Sequence, residues 1–298
     1  MSARLDRLGP DWPHRERSRI VRAGGVDWHV QSFGDVGPRV LLLHGTGAST
    51  HSWRDVAPLL AAHARILVPD LPGHGATEQA GGDGMRLPGM ARRLGALCEA
   101  EEFEPHAIIG HSAGAAVAIA AATEDVLAPR LIVGLNAALR PMQGYALFSP
   151  LAKALFVNPL VPSLFARLGA RGRTASALLE RTGSRLDARG IELYRRLFAN
   201  ADHVRGALGM MAGWDLEWLQ RRLPALRSRL VLVAADDDGT VPARDAAAHI
   251  AKVRDGRLVS LSQGGHLAHE VEPRRVVALV LDCMAEAGLP LAAEVPIS

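Results

Sequence analysis

A mostly parallel α/β sheet, covered by helices on both faces and interrupted by a helical insertion, is the fold class that this 298-residue sequence predicts. Short Val/Ile/Leu runs alternate with helical segments, which is the pattern of a parallel sheet with crossover helices. The runs are Arg39–Leu43, Arg65–Val68, Ala107–Ile109, Arg130–Val133, Arg229–Val233 and Arg257–Leu261, and their near-continuous apolar character suits strands buried on both faces. Ahead of them, Ile20–Arg22 and Trp28–Val30 flank Gly24-Gly25 and read as an antiparallel hairpin at the sheet edge. Between Asn136 and about Leu223 the alternation stops; helical patterns such as Ala175–Glu180 and Gly190–Phe198 replace it. The expected organisation is therefore a core in two parts, 1–136 and 224–298, with 137–223 as an inserted helical lid.

The chemistry-bearing signal is Gly110-His111-Ser112-Ala113-Gly114, directly after the run Ala107–Ile109 and ahead of the small-residue run Ala113–Ala122. A strand, a sharp turn and a helix in that order expose a serine on a strained backbone, and the flanking glycines leave room for the turn. The helix dipole then favours negative charge beside Ser112. His44-Gly45-Thr46-Gly47 after Leu43 and Asp70-Leu71-Pro72-Gly73-His74-Gly75 after Val68 complete an ordered set of loops that resembles the α/β-hydrolase fold. That resemblance implies Ser112 as nucleophile and an oxyanion hole built from the backbone N–H groups of Thr46 and Ala113.

In that fold the acid and base follow the serine along the chain. The strand ending at Val233 leads into Asp236-Asp237-Asp238-Gly239-Thr240-Val241-Pro242. The D-x-x-V-P spacing of similar hydrolases selects Asp238, leaving Asp236 and Asp237 as solvated loop residues or N-cap partners. The other acid position of the fold, after Arg130–Val133, holds Asn136 and no carboxylate. Gly264-Gly265-His266-Leu267-Ala268-His269-Glu270 supplies His266 as the base; His269 is the competing candidate, whose alternative is a helix-entry histidine bonded to backbone. The H-x-x-H-E spacing differs from the H-E-x-x-H of a zinc protease, so no metal or cofactor is expected.

Composition bounds the remaining classes. At 48% hydrophobic and 22% charged, the chain can bury a sizeable core. A net charge of +3 with 4% aromatic residues and no basic cluster interleaved with aromatics argues against a nucleic-acid partner. Met1–Arg22 has no apolar stretch of the kind a secretory signal needs, and no run is long enough to cross a bilayer. Cys98 and Cys283 then read as buried free thiols in a reducing, cytoplasmic compartment.

The lid begins with an apolar stretch containing Tyr145, Phe148, Leu151, Phe156, Leu160 and Phe165, near Lys153, Arg167, Arg171 and Arg173. Core packing is the plain account; a pocket for a large apolar ligand, or peripheral contact with a membrane, is the sharper one. Met210, Met211 and Trp214 would extend such a pocket with Phe148 and Phe165.

Several segments carry a narrower likeness: Asp11-Trp12-Pro13-His14, Trp28-His29-Val30-Gln31, His44–Asp55, Phe148–Lys153, Asn158–Pro162 and His266–Glu270. Together they resemble the magnesium-chelatase accessory proteins of bacteriochlorophyll biosynthesis, the BchO type. The resemblance implies a role around Mg²⁺ insertion or a tetrapyrrole ester, with a chelatase subunit as a partner. Two classes of function stay open on this reading: a serine hydrolase acting on a carboxylic ester, whether pigment-related or general, and a non-catalytic accessory protein that binds a tetrapyrrole or chelatase through its lid.

Overall fold

The computed structural model describes residues 3–140, 160–169 and 172–292. Eight strands form one sheet: β1 (Ser18–Ala23), β2 (Val26–Phe33), β3 (Arg39–Leu43), β4 (Arg65–Pro69), β5 (Ala107–His111), β6 (Leu131–Leu135), β7 (Arg229–Ala235) and β8 (Gly256–Leu261). Their spatial order is β1-β2-β4-β3-β5-β6-β7-β8. The β1/β2 and β2/β4 pairs are antiparallel, and every pair from β4/β3 to β7/β8 is parallel. Gly24 and Gly25, at φ +55° and +77°, make the β1–β2 turn in the conformation that matches strand twist.

Side-chain alternation along each strand feeds two cores. Leu41 and Leu43 of β3 join Trp28, Leu67, Leu87, Leu94 and Ile108 on one face of the sheet. Val40 and Leu42 join Trp53, Leu60, Ile66, Ile109 and Val280 on the other. Helices cover both faces. In chain order, the short α1 (Ala3–Asp6) and α2 (Val56–Leu60) precede α3 (Leu87–Ala100) and α4 (Ala113–Thr123). Every residue of α4 from Ala113 to Ala121 is buried, as its all-apolar sequence requires.

Between β6 and β7 the described residues form five helices: α5 (Leu160–Gly169), α6 (Gly172–Glu180), α7 (Ala188–Phe198), α8 (Ala201–Gly213) and α9 (Leu216–Arg222). Polar caps set the starts of α7, α8 and α9: the Asp187 side chain accepts from Gly190 N, Asn200 from Asp202 N and His203 N, and Asp215 from Trp218 N. This cap sits directly on the core loops. Gly206 of α8 approaches Gly73 so closely that a Cβ there would lie 2.0 Å from the Gly73 carbonyl oxygen. After β7 come α10 (Ala243–Ile250), α11 (Ala268–Val271) and α12 (Pro273–Glu286), the last packed against α2. Among the described residues no helix is long and apolar enough to cross a membrane.

Candidate active site

Ser112 stands between β5 and α4 at φ 50°, ψ −112°, a backbone state that a non-glycine residue adopts only where its surroundings enforce it. The enforcement is visible on both sides. A Cβ on Gly110 would meet Ala115 N at 2.4 Å, and one on Gly114 would meet the Leu43 carbonyl oxygen at 2.2 Å, so the turn closes only with glycine at both positions. The Ser112 amide donates to Leu135 O (2.9 Å), tying the elbow to β6. Gly45 lies over it, with an added Cβ falling 3.1 Å from Ser112 Cβ, which brings the His44–Gly47 loop alongside the serine. Thr46 in that loop donates its hydroxyl to Met210 Sδ (3.1 Å) from the cap helix α8.

At the same end of the sheet, beyond β7 and β8, His266 Nδ1 donates to Asp238 Oδ2 at 2.8 Å. The other oxygen of Asp238 accepts from the amides of Thr240 (2.7 Å) and Val241 (2.9 Å), which orients the carboxylate. The imidazole of His266 meets His111, the residue before Ser112, edge to face, with ring centroids 4.7 Å apart. Its carbonyl accepts from His111 Nε2 and from Asn136 Nδ2, each at 2.9 Å. Ser112 Oγ makes no hydrogen bond to His266 among the described residues; free enzymes commonly leave this contact loose until substrate binds.

Two readings of neighbouring residues need correction. Asp237 is neither an N-cap nor a merely solvated side chain: its carboxylate accepts from Gly264 N (3.2 Å) and Gly265 N (2.8 Å) and so ties the acid loop to the histidine loop. Asp236 is exposed. His269 does not bond to backbone at a helix entry. It is buried, donates Nε2–H to Ser52 Oγ (2.7 Å), and stacks between His111 and Trp53. Burial lowers its pKa to about 3, so it stays neutral and enclosed, away from solvent.

Asn136 carries a function that sequence reasoning saw only as a missing carboxylate. At φ +46°, it accepts from Ala235 N through Oδ1 and donates Nδ2 to the carbonyls of Gly265 and His266, all at 2.9 Å. Next to His269, the buried Glu270 accepts from Tyr194 of α7 (2.7 Å), Ser52 (2.8 Å) and Arg54 (3.1 Å), and burial raises its pKa to about 7.

A second Ser–His–Asp chain exists elsewhere. Ser18 Oγ lies 3.0 Å from His29 Nε2, and His29 Nδ1 lies 2.6 Å from Asp70 Oδ2, with His29 and Asp70 fully buried. Asp70 also accepts from Thr50 N and Ala76 N, so this chain pins the two core loops to the hairpin. Ser18 starts an extended strand with no elbow and no following helix, and it lacks what makes Ser112 a nucleophile candidate.

Among the candidate pocket residues, Met210 is fully buried beside Thr46; Met211 and Trp214 are half-buried, and the Trp214 indole donates to Met85 O (3.0 Å) while packing on the core. Phe148, Lys153 and Arg171 lie outside the described residues, as do the side chains of Phe165 and Arg173, whereas Arg167 of α5 is exposed. Among the described residues no group of His, Cys, Asp or Glu could hold a metal ion. Cys98 and Cys283 are buried and free, and burial pushes the Cys98 thiol up to about 12.

The family described as the alpha/beta hydrolase fold matches residues 38–273. The chain is 40% identical over 278 residues to the magnesium-chelatase 30 kDa subunit of Rhodobacter capsulatus, covering 92% of this chain and 97% of that protein. It is also similar, at 26% identity over 288 residues covering 90% and 95%, to a 2-hydroxy-6-oxononadienedioate/2-hydroxy-6-oxononatrienedioate hydrolase of Paraburkholderia xenovorans. An α/β-hydrolase fold protein from Burkholderia ambifaria shares its structure with a TM-score of 0.74 at 24% identity, covering 89% of this chain and 97% of that one. The chain belongs to the α/β-hydrolase fold family and, within it, to the family of the magnesium-chelatase 30 kDa subunit.

Proposed function

We propose that this chain is a serine hydrolase that cleaves a carboxylic ester through an acyl-enzyme, in an accessory role at the magnesium-chelatase step of bacteriochlorophyll biosynthesis. The observation that carries the chemistry is the strained Ser112 elbow beside the Asp238–His266 pair. In the first half-reaction Ser112 Oγ adds to the ester carbonyl carbon and its proton passes to His266 Nε2. Asp238 holds the ring by Nδ1 and stabilises the imidazolium. The oxyanion is held by the amides of Thr46 and Ala113, the latter at the start of α4 where the helix dipole adds to the field. Collapse expels the alcohol, which takes the proton from His266. Water then attacks the acyl-enzyme with His266 as base, releasing the acid and restoring Ser112.

The pathway assignment rests on the similarity to the chelatase subunit, and it makes a cytoplasmic tetrapyrrole ester the substrate class and a chelatase subunit the partner. Leu164 of α5 and Leu178 of α6, about half exposed, support peripheral membrane contact through the cap, and Met210 beside Thr46, with Met211 next to it, would line the substrate side. The name of that same relative, a chelatase subunit rather than a hydrolase, favours a second reading in which the cap binds and Ser112 is idle. The deciding experiment treats the purified chain with a serine-directed fluorophosphonate and locates the adduct by mass spectrometry. Labelling at Ser112 that vanishes in a folded Ser112→Ala variant supports hydrolysis; no adduct, or one at Ser18 alone, supports the binding role.

A further inference from the structure

We infer that the cap loop Thr182–Ser184 is a strut that positions the acid–histidine pair, with Ser184 as a positioning residue for His266; this rests on the roles of Asp238 and His266 proposed above. The loop joins α6 to α7 and is wedged between the two loops that present those side chains. A single acceptor bridges them: the carbonyl oxygen of Thr182 takes the amide of His266 itself (2.9 Å) and the amide of Gly239, the residue after Asp238 (3.1 Å). The hydroxyl of Ser184, which is 3% exposed, donates to Gly264 O (3.0 Å) and accepts from Leu267 N (2.8 Å), gripping the histidine loop on both sides of His266.

Packing leaves this strut no slack. A Cβ on Gly239 would lie 2.3 Å from Arg181 O, and one on Gly265 would lie 2.4 Å from the Gly183 carbonyl carbon. Gly183, at φ +80°, would bring a Cβ within 2.2 Å of Asp237 O. The loop is fastened to its own helix as well, since Thr182 Oγ1 donates to Leu179 O (2.5 Å) and accepts from Ser184 N (3.3 Å).

The backbone of His266 is thus held at two points from different parts of the molecule. Its carbonyl is fixed by the core through His111 and Asn136, and its amide is fixed by the cap. Inserting strut, acid loop and histidine loop into one another means the cap cannot lift away as a body while the pair keeps its geometry. A ligand or partner that shifts α6 or the start of α7 therefore acts on His266 directly, and a displacement of about 1 Å at such a group is enough to cost on the order of a hundredfold in rate.

The test compares the full-length wild-type chain with Ser184→Ala, which removes both hydroxyl bonds, and Ser184→Thr, which keeps the hydroxyl. The low-field proton resonance of the His266 Nδ1–H reports the bond to Asp238 without any substrate, and the rate of Ser112 labelling by a fluorophosphonate reports its use. In Ser184→Ala the resonance is expected to broaden or shift and labelling to slow by about tenfold or more, while Ser184→Thr retains both. A folded Ser184→Ala protein with unchanged resonance and labelling rate overturns the inference. Should Ser184→Ala not fold, hydrogen exchange in the wild-type chain still decides: the His266 and Gly239 amides, sharing one acceptor, are expected to be protected together, and rapid exchange at either overturns the strut. Absence of labelling in wild-type protein sinks the proposed hydrolysis but leaves the resonance and exchange readouts standing.

Discussion

Replacing Asn136 by alanine tests how much of the site depends on one buried amide. Asn136 is 4% exposed and its side chain makes three hydrogen bonds, to Ala235 N, Gly265 O and His266 O. The His266 carbonyl keeps a partner in His111 Nε2, so alanine deprives Ala235 N and Gly265 O of this contact. A buried backbone group stripped of its partner costs about 1–3 kcal/mol. Alanine at φ +46°, where asparagine is better tolerated, adds about 1 kcal/mol. For two such groups and the backbone the sum is about 3–7 kcal/mol, a large part of the 5–15 kcal/mol that stabilises an ordinary domain. Urea denaturation at neutral pH should show the midpoint falling with little change in slope, and Ser112 labelling should slow because the histidine loop has lost one of its anchors. A stability loss below about 1 kcal/mol, or an unchanged labelling rate, would refute the reasoning that Asn136 joins β6, β7 and the histidine loop.

Acid should destabilise the chain well above the ordinary carboxylate range, because burial depresses His44, His51, His74, His111, His203 and His269. A depressed folded-state pKa gives stability that is complete above 6.5 and drains away as pH falls toward the folded value. For His203 and His269, lowered to about 4 and about 3, going from pH 6.5 to about pH 5 loses about 2 kcal/mol each. Glu270, raised to about 7, has the opposite sign and returns about 2 kcal/mol over the same span, while the other four histidines add to the loss. The thermal midpoint should therefore drop by at least about 3 °C between those pH values, and a flat profile contradicts the neutral-histidine assignment. Tyr194→Phe removes the hydroxyl that donates to Glu270; the cost should be about 2 kcal/mol above pH 7, where the carboxylate is charged, and about 1 kcal/mol below it, and equal costs on both sides would show that Glu270 does not titrate there.

The local part of this molecule was readable in order along the chain. Each parallel strand appears as an apolar run because both faces of the sheet are covered, and the hairpin appears as two runs around Gly24-Gly25, whose positive φ the turn requires. Gly110 and Gly114 flank Ser112 for a reason confined to a few residues, the lack of room at the elbow. The pairing of Asp238 with His266 follows from two loops at the ends of adjacent strands, β7 and β8. The apolar opening of the lid gave no comparable signal, since a pocket wall, a core face and a docking face share one composition.

The sequence by itself determined the sheet, the elbow and the chain order of serine, carboxylate and histidine, because strand burial, turn sterics and helix capping act over spans of a few residues. Tertiary structure alone decided that Asn136 anchors the histidine loop, that Asp237 binds its amides, that His269 is sealed against Ser52, and that the carbonyl of Thr182 bridges acid and base. Those contacts join segments from 28 to 217 positions apart for the side chains, and most end on backbone N–H or C=O groups that every residue carries. Only packing selects which of those identical groups meet.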